Sequence, residues 1–371
     1  MIAQTQFADA NPVVVITGGA GFLGSALVRE LLKDGAANGL SPREIRIFDV
    51  RTPAGHADGR VRGIRGDIRD PEALAAACKG ADIVFHCAAL VDWGQNPRRL
   101  LEDINVAGTR NVIGAAAASG ARALVYTSSM DVLYAGRPIV NGDETSPYPE
   151  RYDMAYAETK SRAERAVLEC NGISRGADYP PLRTCVIRPC GMFGEADPYH
   201  VSSFLLMARS GRLTFRIGDG KARFQHVYVG NVAHAHVLAA RSLLAPESRA
   251  AGAAYFVTDF EAKNFFDYME PILRGIGYAM PPKNRSIPRS VMYTAAVLLE
   301  AASRLARPFV RFTPPVNRTS VTMVCIDMTF SGEKARRDLG YSPAYTEEEA
   351  IRRTVDYFRA HGPVIRDGSF S

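Results

Sequence analysis

The chain has 371 residues, 47% of them apolar and 23% charged, enough to bury one large core; a disordered or fibrous protein is excluded. A net charge of +6, from 45 basic and 39 acidic residues, is a mild bias toward anionic groups such as cofactor phosphates or lipid headgroups and is too diffuse to argue for nucleic acid. Cys78, Cys87, Cys170, Cys185, Cys190 and Cys325 show no CxxC or CxxH spacing, so reduced thiols and no metal site are expected.

Residues 1–11 are polar, lack the basic start and apolar stretch of a secretory signal, and read as a loose tail of a cytoplasmic chain. Val13 to Ile16 is a β-branched run that meets the glycine cluster Gly18-Gly19-Ala20-Gly21-Phe22-Leu23-Gly24, after which residues 22–33 carry apolar side chains at helical spacing. Strand-like runs follow at 45–48, 83–86, 124–127 and 184–187, separated by helical patterns at 71–79, 100–118 and 154–170. Asp70-Pro71-Glu72 is a helix start: Asp accepts from unpaired amides, Pro fits the first helical position and Glu suits the positive helix end. The alternation predicts an α/β fold with a doubly wound parallel sheet. After Pro189 it fades. Residues 12–190, with 224–258 returning to them, are expected to form a Rossmann core; residues 191–223 and 259–371 form a smaller substrate-binding region.

Gly18, Gly21 and Gly24, between a strand and a helix, permit a tight turn, close approach of backbone amides to a pyrophosphate, and close packing of helix on sheet, with Phe22 and Leu23 opening the helix. Asp49 ends the next strand, 25 residues after Gly24, where a carboxylate meets ribose hydroxyls and repels a 2′-phosphate, so the expected cofactor is NAD. Arg51 argues weakly the other way. Asp67 and Ile68, after the third strand, are placed at the adenine edge.

Tyr156 and Lys160 stand four apart on a predicted helix and share a face. A phenol with pKa near ~10 is a poor base at neutral pH, and an adjacent ammonium and a cationic nicotinamide would favour its phenolate. The strand ending Tyr126-Thr127-Ser128-Ser129 supplies a hydroxyl for the substrate oxygen, from Ser129 with Ser128 as competitor. Asn105, on the helix before that strand, is a candidate to hold a water between Lys160 and solvent. His234 and His236 are two apart on a helical pattern and point to different sides, and no GxSxG or HExxH occurs.

These residues resemble the 3β-hydroxysteroid dehydrogenase family of extended short-chain dehydrogenases. The matching runs are Phe85-His86-Cys87-Ala88-Ala89-Leu90-Val91-Asp92-Trp93-Gly94, Asn105-Val106-Ala107-Gly108-Thr109, Tyr126-Thr127-Ser128-Ser129, Ile187-Arg188-Pro189 and, later, residues 227–236 and 330–341. The stretch from Gly142 to Lys160 is especially similar to bacterial cholesterol dehydrogenases. The resemblance covers nearly the whole chain. It implies a Ser129-Tyr156-Lys160 set with Asn105, NAD as cofactor, and oxidation or reduction at C3 of a steroid or sterol. The family's Asn-Ala-Ala at one strand end is Cys87-Ala88-Ala89 here, so the cofactor contact there would come from the Ala88 or Ala89 backbone. Pro189 belongs to the same cofactor set.

Three chemistries stay open: oxidation of a free 3β-alcohol with or without Δ5-Δ4 isomerisation, oxidation of a C4-carboxylated sterol with decarboxylation, and reduction of a 3-ketone. Two other classes are a nucleotide-sugar epimerase or dehydratase and a cofactor-sensing binding protein. Val91, Trp93, Met130, Met192 and Phe193 offer apolar surface where a sugar nucleotide would require paired polar groups, which favours the steroid. The segment 290–312 is expected to be an amphipathic helix that roofs the substrate cleft. Arg304, Arg307 and Arg311 suit it to a peripheral membrane contact; burial on its own core or in a homodimer is the competing expectation.

Overall fold

The structure, a computed structural model, describes residues 11–33, 39–51, 55–174, 180–306 and 316–365. The expected tail, apart from Asn11, and the end of the 290–312 segment from 307 onward lie outside them.

Seven parallel strands form the central sheet: β1 (Val13–Thr17), β2 (Glu44–Asp49), β3 (Val61–Arg65), β4 (Ile83–His86), β5 (Ala123–Thr127), β7 (Arg183–Pro189) and β11 (Ala253–Val257). Their spatial order is β3-β2-β1-β4-β5-β7-β11. The chain reverses its direction of travel across the sheet between β1 and β4, which opens a crevice at the carboxyl ends of those two strands. β1, β4 and β5 are buried along their whole length, because helices cover both faces. That is why they read as continuous apolar runs.

Helix α1 (Phe22–Leu31) follows the glycine turn, and α2 (Pro71–Cys78) starts as its sequence anticipates: Asp70 accepts from the amides of Glu72 and Ala73 at 3.0 and 3.1 Å. The predicted 100–118 helix is not uniform. It begins as α3 (Arg98–Leu101), widens into a π-helical turn (Glu102–Gly108), and continues as α4 (Thr109–Ser119) to a left-handed Gly120. π turns interrupt helices chiefly at functional sites, and this one carries Asn105.

Helix α5 (Ala155–Glu169) packs on β7 through a buried ion pair. The Arg188 guanidinium donates to Glu164 at 2.5 Å, and Tyr148 donates to the same carboxylate at 2.5 Å. Beyond β7, α7 (Val229–Leu244) lies against α1, and β11 closes the sheet edge beside β7. Among the described residues three short parallel pairs stand apart from the main sheet: β8 (Gly191–Phe193) with β10 (His226–Tyr228), β9 (Arg216–Ile217) with β12 (Ser286–Ile287), and β13 (Met328–Phe330) with β6 (Ile139–Gly142).

Helix α6 (His200–Arg209) and helix α8 (Phe265–Ile276) join them. Helix α9 (Arg289–Ala306) is two-faced. Met292 and Ala296 bury against Val321 of α10 (Arg318–Met323), whereas Val291, Leu298 and Leu305 are 57%, 64% and 79% exposed. Helices α11 (Glu333–Leu339) and α12 (Glu347–His361) follow β13. Among the described residues no helix is long and apolar enough to cross a membrane.

Candidate active site

A cleft of ≈ 340 Å³ runs along the carboxyl ends of β1, β2 and β4 and past β5 to Tyr156. At one end the glycine turn forms its floor. Gly18 has φ +70°, and a Cβ there would stand 2.7 Å from the Ala88 backbone; a Cβ on Gly24 would run into the Gly18 carbonyl. Only glycine lets these backbones meet. The N-terminus of α1 begins at Gly21 with no side-chain cap, so its first amides face the cleft and suit an anion.

Asp49 lies at the rim of this cradle, its carboxylate accepting from the Ala20 amide at 3.1 Å and the Arg51 amide at 3.0 Å. Arg51 also lines the cleft, donating at 2.8 Å to the Ala20 carbonyl, with its Nε 3.6 Å from Asp49. Its guanidinium is thus held by the cradle. Asp67 lines the cleft paired to Arg69 at 2.6 Å, an ion pair that holds its carboxyl below the ordinary range against the opposing effect of burial. Ile68, Ala88 and Ala89 complete this wall. A glycine cradle, an uncapped helix terminus and a carboxylate at the rim fit a dinucleotide without a 2′-phosphate.

At the other end Tyr156 and Lys160 face the cleft from one side of α5, both buried. Lys160 Nζ donates to the Thr127 carbonyl at 2.7 Å and lies 4.3 Å from the centre of the Tyr126 ring. Burial pulls the ammonium down to about 7, against the pull of Glu164 one turn on. At the Tyr156 phenol burial acts against the phenolate that a neighbouring ammonium and a bound nicotinamide are expected to favour. Burial pushes the phenol well up, the Asp131 carboxylate adds to the shift, and Ser129 opposes it.

The serines divide differently from the sequence reading. Ser128 lines the cleft with a buried Oγ that has no partner, and its amide donates to the Ile187 carbonyl at 2.7 Å. Ser129 lies behind it. Its hydroxyl donates to Asp131 Oδ2 at 2.9 Å and accepts from the Asp131 amide at 3.1 Å, capping a 3-10 turn (Met130–Leu133).

Asn105 is fully engaged: Oδ1 accepts from the Leu90 amide at 2.8 Å, and Nδ2 donates to the Leu90 carbonyl at 3.0 Å and Thr159 Oγ1 at 3.2 Å. Its amide fastens the cleft wall to α5, a different task from the water-holding one expected of it. Pro189, the last residue of β7, is buried and does not line the cleft.

Of the apolar candidates, Val91 and Met192 line the cleft. Trp93 stands one layer back, edge-on to the lining Tyr199 at 5.5 Å between ring centres. Met130 and Phe193 are corrected to core positions: Met130 is buried, and Phe193 is enclosed by the rings of Tyr228, Phe260 and Tyr268. No residue of α9 lines the cleft, so the described part of the expected roof packs on α10 instead.

Missed by sequence reasoning were Ala196, Pro198, Tyr199 and Val364, which close the far wall, and Asp131. Val364 arrives from the chain's other end, its amide held by Ser202 at 2.9 Å. Only Asp131, two residues past Ser129, had a local signal: a carboxylate in an apolar run. His234 and His236 diverge as expected, toward Glu30 and Thr127 respectively.

Residues 15–289 match the model of the 3-beta hydroxysteroid dehydrogenase/isomerase family. Over 93% of this chain and 79% of its own length, the 3beta-hydroxysteroid-dehydrogenase/decarboxylase isoform 1 of Arabidopsis thaliana is 37% identical. The 3 beta-hydroxysteroid dehydrogenase/Delta 5-->4-isomerase of Mycobacterium tuberculosis is 34% identical over 93% of this chain and 90% of its own. In fold, the UDP-glucose 4-epimerase of Thermus thermophilus, solved in complex with NAD, matches with a TM-score of 0.66 and 24% identity over 94% of this chain and 99% of its own.

Proposed function

Because this chain belongs to the 3-beta hydroxysteroid dehydrogenase/isomerase family, we propose that it is an NAD-dependent dehydrogenase that works at C3 of a 3β-hydroxysteroid or sterol. The observation that carries the reading is the continuous cleft that joins the glycine cradle and Asp49 at one end to Tyr156 and Lys160 at the other. NAD, when bound, takes or returns the hydride. Asp49 selects it over NADP by the charge it presents to the ribose, with Arg51 held down by Asp49 and Ala20.

Tyr156 carries the proton of the reacting oxygen, and Lys160, seated on the Thr127 carbonyl, places positive charge beside it. Ser128 presents a hydroxyl to the cleft while Ser129, the competing candidate, lies behind it on Asp131, and Asn105 positions the wall at Leu90. The substrate enters between Val91 of the Rossmann core and Met192 and Tyr199 of the substrate-binding region 191–223 and 259–371. These apolar and aromatic side chains favour a steroid over a sugar nucleotide.

The exposed face of α9, Val291, Leu298 and Leu305 on one stripe, supports a peripheral membrane contact through which a lipophilic alcohol would arrive. A homodimer that covers the same stripe is the competing assembly. NADH formation across 3β-alcohols, 3α-alcohols and C4-carboxylated sterols tests the reading: turnover is expected with NAD and 3β-alcohols. Tyr156→Phe should abolish it while NADH binding, followed by fluorescence, stays within a few-fold. Turnover retained in Tyr156→Phe would overturn the assignment.

A further inference from the structure

Helix α12 is fastened near its start to the far end of α1. The Lys33 ammonium, just past α1, lies 4.6 Å from the centre of the Tyr345 ring, and the Arg353 guanidinium lies 5.2 Å from the same ring. α1 sets out from the glycine turn in the cleft, and the chain just past α12 lines that same cleft, so α12 runs back toward the point from which α1 leaves. It stops there for a local reason. Gly362 takes a left-handed φ of +70° and donates its amide to the Phe358 carbonyl at 3.0 Å, and Pro363 cannot continue a helix.

Two tethers hold this end of the chain to the loop between β8 and α6, whose Ala196, Pro198 and Tyr199 line the cleft. On one side of Ala196, the Glu195 carboxylate accepts from Arg353 Nε at 2.9 Å and from the Tyr228 hydroxyl at 2.7 Å. On the other side the buried Asp197 carboxylate accepts from the amides of Tyr199, His200 and Val201, and the Asp197 carbonyl accepts from the Ser202 hydroxyl at 2.6 Å. The same hydroxyl accepts from the Val364 amide at 2.9 Å. Ala196, between the tethers, has φ +65°, a conformation that a residue with a side chain keeps only where its neighbours impose it.

Val364 and Ile365 are thereby set on the cleft wall. The Ile365 side chain is 74% exposed, an apolar surface that a ligand in the cleft would cover. Resting on the dehydrogenase reading, we propose that Val364 and Ile365 are contacts for NAD: they form an apolar strap across the bound dinucleotide beside the first turn of α1, and Ser202 positions the strap through the Val364 amide. The path of α12 favours the dinucleotide over the steroid. It brings the strap in from the side of α1, whose Phe22, Leu23, Gly24 and Ser25 line the cleft.

Covering an apolar side chain of this size is worth roughly tenfold in affinity, and such differences lie mostly in the rate of release. The test is therefore NADH release, followed by fluorescence in stopped flow as excess NAD displaces bound NADH. Ile365→Ser should speed release by ~10-fold. Ile365→Leu, which keeps the volume, should return it to within about twofold of wild type. Because the side chain is exposed, the Tm of Ile365→Ser should match that of wild type. Ser202→Ala should also speed release, and adding Ile365→Ser to it should change little more, since a strap without its tether no longer holds the ligand. If Ser202 served only the fold, the two effects would multiply.

An unchanged release rate in Ile365→Ser would overturn the strap. So would a raised KM for the steroid with NADH release unaltered, which would assign Val364 and Ile365 to the substrate. Effects that multiply in the double variant would overturn the part given to Ser202. A wild type that binds no NADH would overturn the dehydrogenase reading, and the strap with it; that result is distinct from bound NADH leaving wild type and variant at one rate, which sinks the strap alone.

Discussion

At the glycine end of the cleft the backbone itself sets the shape: Gly18 and Gly24 touch neighbouring main chain with no room for a Cβ, and Asp49 and Arg51 fasten the turn through main-chain hydrogen bonds. At the Tyr156 end side chains set it, and several are unsatisfied. Among the described residues, the buried side-chain polar atoms without partners, Tyr126 Oη, Ser128 Oγ and Asp131 Oδ1 among them, all belong to β5 or to later elements. The difference follows from the two tasks. A cofactor of constant shape is held best by a cradle that cannot move, whereas proton transfer needs groups whose hydrogen bonds are still open to change.

The comparison can be broken most forcefully at the anchor that holds the reactive end. Glu164→Gln leaves Arg188 buried without its counter-charge and should cost about 3–5 kcal/mol, measured by urea unfolding. The loss should loosen α5, so kcat should fall further than NADH affinity. Equal losses of both would mean that the two ends of the cleft do not move independently.

A smaller effect is expected at the rigid end. Gly18→Ala puts a Cβ against the Ala88 backbone at a left-handed φ of +70° and should destabilise by ~2–4 kcal/mol. Here the ranking reverses: NADH binding should weaken at least tenfold, because the amides of the turn are displaced. A fluorescence titration that shows unaltered affinity would show that the cradle tolerates movement.

The smallest effect belongs to neither end. Leu298→Glu with Leu305→Glu changes side chains that are 64% and 79% exposed, so stability should change by no more than about 0.5 kcal/mol per site. Co-sedimentation with anionic liposomes, expected for wild type, should be lost. If the double variant unfolds, or if wild type stays in the supernatant at low salt, the stripe is covered by protein and the membrane contact fails.

The sequence by itself determined the fold class, the glycine turn with Asp49, and the shared face of Tyr156 and Lys160. Each of these rests on short-range regularities: apolar runs of strand length, glycines at fixed offsets, two residues one helical turn apart. What lies farther apart along the chain only the tertiary structure decided. Asn105 is spent on Leu90 and Thr159, which its helix neighbours do not reveal because the π turn redirects it. Met130 and Phe193 look like pocket residues by composition and are core, since apolarity does not say which cavity a side chain fills. Tyr199 and Val364 both line the cleft, one from the start of α6 and the other from just past the end of α12. Asp131 acquires its raised pKa from burial, a quantity set by every element packed over it and by no residue beside it in sequence.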